Sequence, residues 1–301
     1  MNAPETKRRS GFAAVVGRPN VGKSTLVNAV VGSKVAIVTP KPQTTRHNVR
    51  GVYTEARGQI VFVDTPGIHR PRSKLGEWMN ESARRVLRDV DLVLFVIDAA
   101  RGWTEGDARI AEELFPSAVP VIAVLNKIDA LTNRALVLPL IERVKDAGEF
   151  REIVPVSALR GDGLDRLVDL IFAYLPEGPY FFPPDVLSDR PEAFHAAEII
   201  REKILLFTEE EVPHAVDVQI ESWEETEGLL SLAAVVTVER EGQKAILIGR
   251  GGSKLKEIGT AARRELEERF GRKVFLKLWV RVRERWRDRP TLLREFGYRD
   301  T

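Results

Sequence analysis

The chain has 301 residues, 44% hydrophobic and 30% charged, which is enough for one large domain or two ordinary ones of a soluble globular type. It has no cysteine, which excludes disulfides and thiolate metal sites, and its net charge of +2 leaves any nucleic-acid surface to a local patch. No apolar run is long enough to span a bilayer, and the polar, basic first ten residues lack a signal-peptide core, so a cytoplasmic chain is expected.

Residues 11–16 read as a strand. They run into Gly17-Arg18-Pro19-Asn20-Val21-Gly22-Lys23-Ser24-Thr25, and residues 23–31 then read as a helix. Gly17, Gly22, Lys23 and Ser24 fit the phosphate-binding pattern G-x-x-x-x-G-K-[ST]. Such a loop turns its backbone N–H groups around a polyphosphate, and glycine permits the close approach. Lys23 can reach β/γ-phosphate oxygens, the Ser24 hydroxyl can ligate Mg²⁺, and the helix points its positive end at the phosphates.

Further strands are expected over 49–56, 59–63, 92–98, 119–125 and 152–156, with helices over 74–89, 104–114, 134–147 and 164–175. This alternation predicts an α/β domain, a mostly parallel doubly wound sheet with helices on both faces. Arg57-Gly58 predicts a tight hairpin between the second and third strands. Thr104 and Asp107 suit a helix cap and a first-turn acid. Asp64-Thr65-Pro66-Gly67, Asn126-Lys127-Ile128-Asp129 and Ser157-Ala158-Leu159 each follow an apolar strand-like run, at the strand ends where such sheets bind ligands. In order, they resemble the third, fourth and fifth guanine-nucleotide motifs of GTPases. Asp129 suits a base selector, because a carboxylate can accept from both N1–H and the exocyclic amine of guanine.

Four prolines and a glycine over 176–184 break the helical pattern. The expected organisation is a nucleotide domain over 1–176, a linker over 177–190 and a second domain over 191–301. Tyr180, Phe181 and Phe182 suggest that the linker packs on something. The second domain reads as a helix over 191–207, strands over 215–223 and 229–239, a short helix or turn over 244–248, a helix over 253–270 and a strand over 273–283. Ile248-Gly249-Arg250-Gly251-Gly252-Ser253-Lys254 joins its two later helices. This order with a G-x-x-G loop resembles a type II KH domain, whose glycines clamp the backbone of single-stranded nucleic acid. Arg250 and Lys254 suit phosphate. The strand alternates an apolar set with a basic and aromatic set that includes Lys277, Trp279 and Arg281, which could meet RNA, form a solvated edge or cover the first domain.

Together with Pro42-Gln43-Thr44-Thr45-Arg46-His47 and the tail over 292–300, which includes Phe296-Gly297-Tyr298, these features resemble the Era family of bacterial GTPases. The resemblance implies a P-loop GTPase domain followed by a smaller α+β type II KH domain, with GTP/GDP and Mg²⁺ as ligands. It also implies GTP hydrolysis and binding of the 3′ end of small-subunit (16S) ribosomal RNA in 30S subunit assembly. Peripheral association with the inner face of the membrane is implied as well, and a monomer is expected. Superfamily relatives keep a threonine before the arginine, which favours Thr45 over Thr44 on Mg²⁺, with Ser24 and Asp64. Asn20 stands where related GTPases hold a monovalent cation, and K⁺ there could replace an arginine finger; a turn-forming asparagine is the alternative. The expected catalytic set is Lys23, Thr45 and Asn20. Ile68 occupies the place of a water-orienting glutamine, so either another group aligns the water or intrinsic hydrolysis is slow, leaving a GTP-binding RNA scaffold. His69 reads as a solvated loop residue. Nucleotide-driven ordering of 42–47 would act on the KH domain through 176–188.

Overall fold

The computed structural model describes residues 8–68, 71–116 and 118–298. These fall into two compact units. One takes the described parts of Met1–Ala36, Thr45–Arg70 and Met79–Asp189; the other takes those of Ile37–Thr44, Pro71–Trp78 and Arg190–Thr301.

The first unit follows the expected alternation. In chain order its elements are β1 (Arg9–Val16), α1 (Lys23–Val31), β2 (Val49–Glu55), β3 (Gly58–Asp64), α2 (Lys74–Val86), β4 (Leu92–Asp98), α3 (Glu105–Leu114), β5 (Val121–Asn126), α4 (Val137–Asp146), β6 (Glu152–Pro155) and α5 (Leu164–Tyr174). The first turn of α2 is counted with the second unit. Strand order is β2-β3-β1-β4-β5-β6. Only β2 and β3 are antiparallel, from the hairpin at Arg57-Gly58. The central strands are covered on both faces, which is why β3 and β4 are buried along their whole length. Alternate side chains feed two cores. Ala13, Val15, Phe62, Leu94 and Val124 pack under α1 and α5. Ala14, Val16, Phe95, Ile97 and Leu125 pack under α3 and α4. Thr104 and Asp107 form the capping box of α3. The helix expected from 134 starts at Val137, after a 3-10 turn over Arg134–Leu136.

Residues 177–189 belong to the first unit, where the expected aromatic packing is present. The Phe181 ring lies 4.8 Å from that of Phe12. Gln59 Oε1 accepts from Phe181 N and Phe182 N at 2.8 and 2.9 Å, and Tyr180 Oη donates to Glu55 O at 2.8 Å.

The second unit runs α6 (Glu192–Phe207), α7 (Val212–Ala215), β7 (Asp217–Thr226), β8 (Leu229–Val238), α8 (Glu241–Ile248), α9 (Ser253–Phe270), β9 (Lys273–Val282) and α10 (Pro290–Glu295). β7 and β8 are antiparallel; β8 and β9 are parallel. The strand expected from residue 215 starts later, because Pro213 opens a single helical turn first. Ile199, Ile258, Ala262 and Leu266 bury against Val236, Val274 and Val280. Beyond β9, Trp286 is fully buried, donates from Nε1 to Ala215 O at 2.7 Å and stacks near Phe296 and Tyr298.

Candidate functional site

The loop between β1 and α1 needs its glycines. Gly17 has φ +152° and Gly22 φ +96°; a Cβ would lie 2.4 Å from Val96 O at the first and 2.3 Å from Asn126 Nδ2 at the second. Gly22 caps α1 without a side-chain hydrogen bond to the helix's first N–H groups. Lys23 is buried and folds back over the loop, donating to Gly17 O at 3.1 Å and Arg18 O at 3.0 Å. Burial pushes its ammonium down to about 8, and the Asp64 charge opposes that shift. Arg18 is tied to Asp107 at 2.8 Å, Val21 is in the core, and Pro19 lies against Gly67, whose Cβ would come within 2.8 Å of Pro19 N. Thr25 is half-buried.

Three side chains converge beside this loop. Ser24 Oγ donates to Asp64 Oδ2 at 2.6 Å, and Thr45 Oγ1 lies 2.9 Å from Ser24 Oγ and 3.3 Å from Asp64 Oδ2. Asp64 is fully buried, and its Oδ1 has no hydrogen-bond partner. Burial pushes its carboxyl up, against the pull of Lys23 and the two hydroxyls. A buried carboxylate with one oxygen orphaned and the other shared by two hydroxyls fits a hard cation that prefers oxygen. Among the described residues no group of three acidic or histidine side chains could hold a metal, so a cation here would share phosphate oxygens. Thr44 points elsewhere; its Oγ1 lies 2.6 Å from Thr39 Oγ1 and donates to Lys41 O at 2.7 Å. Thr65 donates to Val15 O and is buried, as is Pro66. Ile68 packs against the core under α3 and α4. His69 lies outside the described residues.

The base-side motifs are tied together. Asn126 Nδ2 donates to Val21 O at 2.9 Å, while its Oδ1 accepts from Ala158 N at 3.0 Å, joining three loops. Lys127 reaches across to Asn20 O at 2.6 Å and Asp98 Oδ2 at 2.7 Å. Asn20 adopts φ +64°, the left-handed conformation that asparagine tolerates. Ser157 Oγ donates to Asp129 Oδ1 at 2.5 Å, fixing the carboxylate at the mouth of this group, and Leu159 is 78% exposed beside it. Asp98 was not singled out from the sequence; its position at the end of β4, beside the end of β5, was the available signal.

In the second unit, Gly249, Gly251 and Gly252 have φ of +71°, +57° and +80°. A Cβ on Gly249 would come within 2.7 Å of Lys254 Cβ; at Gly251 and Gly252 there is open space. Arg250 and Ser253 are exposed, Ile248 is half-buried, and Lys254 pairs with Glu257 at 2.8 Å. From this loop a groove of ≈ 320 Å³ runs between α9 and β9, lined by Gly252, Leu255, Lys256, Gly259, Arg263 and Leu278 among others. Lys277, Trp279 and Arg281 do not line it. Strand alternation puts them on the opposite face from Leu276 and Leu278. Arg281 is engaged there by Thr237 at 3.0 Å and Gln219 at 2.8 Å.

A sequence profile described as "50S ribosome-binding GTPase" matches residues 12–127, and a KH-domain profile matches 211–287. The chain is 50% identical over 292 residues to GTPase Era of Geobacter metallireducens, covering 96% of this chain and 98% of that one. It superposes on a tyrosine-to-alanine variant of Aquifex aeolicus Era bound to GDP·AlF4⁻ with a TM-score of 0.93 and 46% identity, covering 96% and 99% of the two chains. It also superposes on Era in complex with MgGDPNP and nucleotides 1506–1542 of 16S ribosomal RNA, with a TM-score of 0.94 and 46% identity over 97% and 99%. With the glycine loop, the guanine motifs and the KH elements in the same order along nearly the whole length, this chain belongs to the Era family of GTPases.

Proposed function

We propose that this chain hydrolyses GTP and binds the 3′ end of small-subunit ribosomal RNA through its KH unit, as a monomer acting on the 30S subunit in the cytoplasm. The observation that carries the nucleotide half is the convergence of Ser24, Thr45 and the orphaned Asp64 carboxylate beside Lys23. The RNA half is supported by the glycine loop opening into its groove, and by the relative that was solved with 16S nucleotides. Any membrane association is proposed as peripheral; among the described residues no helix is long and apolar enough to cross a bilayer.

In hydrolysis, water attacks the γ-phosphorus, the bond to the β-phosphate oxygen breaks, and GDP and phosphate leave. Catalysis of this kind is mostly positioning and charge stabilisation. Lys23 and the loop N–H groups meet charge on the phosphates. Ser24, Thr45 and Asp64 would hold Mg²⁺, which when bound neutralises developing negative charge. Asn126 holds the loops, Asp129 reads the base edge, and Ser157, Ala158 and Leu159 close the base side. Asn20 is assigned to K⁺.

Ile68 favours a second reading. An aliphatic side chain half-buried against the core, it has no group to orient water, so the chain could act as a GTP-bound scaffold with little turnover. Multiple-turnover hydrolysis measured with K⁺ and with Na⁺ separates the two. Many turnovers, faster in K⁺, are expected; less than one turnover in either salt would establish the scaffold.

Lys23 adds a pH signature. Above pH 8 the empty protein increasingly carries a neutral amine, whereas the polyphosphate complex favours the ammonium. Binding then takes up a proton, and affinity falls as pH rises past 8, by at most about tenfold per unit. Calorimetry at pH 8.5 in two buffers of different ionisation heat should show that uptake; proton release on binding would contradict it.

A further inference from the structure

The second unit includes a piece of the nucleotide machinery. Residues Ile37–Thr44, just before Thr45, group with it. Both ends of this piece are held by neighbouring residues of α6. Glu202 Oε1 accepts from Val38 N at 3.0 Å, and Arg201 Nη2 donates to Thr44 O at 2.5 Å. Between those ends the segment bonds to itself through Thr39, Lys41 and Thr44.

We propose that Arg201 is a positioning residue for the triphosphate state, setting the Thr45 hydroxyl beside Ser24 and Asp64 by holding the Thr44 carbonyl. The inference rests on the GTPase reading above. The carbonyl of Thr44 and the N–H of Thr45 share one planar peptide, so fixing that oxygen orients the backbone from which the Thr45 side chain departs. The guanidinium is suited to this. It is 2% exposed, and Glu198 grips it twice, at 2.7 Å on Nε and 2.6 Å on Nη2. That grip fixes the planar fork before it meets the carbonyl. Its Nη1 is buried without a hydrogen-bond partner.

Two consequences follow. Thr45 is assigned to the metal when the γ-phosphate is present, so Arg201 should matter for GTP and little for GDP. Linkage also runs both ways: ordering Thr45 on the metal biases α6, the first helix of the RNA-binding unit. This route is distinct from the one expected through 176–188, a stretch bonded to β2 and β3 by Tyr180 and Gln59.

The test uses the whole chain with Arg201→Lys, which keeps the charge but not the fork, and Glu198→Gln, which loosens the fork without removing it. Binding of a non-hydrolysable GTP analogue with Mg²⁺, binding of GDP and steady-state hydrolysis are measured for each. Arg201→Lys should weaken the analogue by about tenfold or more and leave GDP within about twofold, the loss expected where one charge-assisted hydrogen bond positions a group that only the triphosphate state uses. The Mg²⁺ midpoint with the analogue should rise and kcat should fall. In a Thr45→Ala background the same substitution should add nothing. If Arg201→Lys melts out at the assay temperature, Glu198→Gln should show the same selective loss, only smaller. Equal losses for GDP and analogue, or none for either, would overturn the proposal and leave Arg201 a structural ion pair. Wild-type protein that binds neither guanine nucleotide would remove the GTPase reading and this inference with it.

Discussion

Asp129→Asn should exchange guanine for xanthine. The carboxylate can accept from N1–H and the exocyclic amine of guanine, whereas an amide can donate to the 2-oxo group of xanthine. Losing two charge-assisted hydrogen bonds at ~1.5–3 kcal/mol each should weaken GTP by at least two orders of magnitude. The substitution is gentle on the protein, because an asparagine Oδ1 can still accept from Ser157 Oγ, which now sits 2.5 Å from the carboxylate. Competition binding with GTP and XTP reads both halves. Undiminished GTP affinity would show that Asp129 does not select the base.

Replacing Arg250 and Gly251 together by Asp should abolish single-stranded RNA binding and leave GTP binding intact. Gly251 adopts φ +57° and a Cβ there would meet nothing within 4 Å, so aspartate, which tolerates that conformation, can keep the loop shape. The change is chemical: two carboxylates would face phosphate where an exposed guanidinium and a bare backbone stood. Wild-type affinity for an oligonucleotide of the 16S 3′ end should fall steeply with salt, with a log–log slope of about −0.7 for each phosphate neutralised. The double variant should show no saturable binding at any salt. Wild-type RNA affinity in the variant would move the RNA surface away from this loop.

How much of this was legible in the sequence differs by element. The phosphate loop was legible in full, because its chemistry demands particular residues at fixed spacing and its glycines are required sterically. The central strands of the first unit were legible because burial on both faces makes stretches such as 60–63 and 92–97 wholly apolar. Thr45 was preferred over Thr44 on resemblance, and the structure places the Thr45 hydroxyl beside Ser24 while Thr44 turns to Thr39. The alternation of β9 was legible too, but not which neighbours each face meets, since that depends on where α9 and the tail pack. Lys277, Trp279 and Arg281 accordingly lie on the face away from the groove beside the glycine loop. The tail carried no periodic pattern, so nothing in it announced the buried Trp286. Arg201 and Glu202 lay in a helix that reads as ordinary, and their partners are 157 and 164 residues away. Only tertiary proximity reveals such pairs.

That separation of 157 residues between Thr44 and Arg201 also sets an order of events during synthesis. Ribosomes add about 5–20 residues per second, so Thr44 waits roughly 8–30 s for the guanidinium that holds its carbonyl. Through that interval β1, α1 and β3 can already have been made, and the phosphate loop with them. The segment before Thr45 still lacks both its α6 anchors. On the Arg201 proposal, a growing chain therefore has its phosphate loop well before it has the anchors that set Thr45.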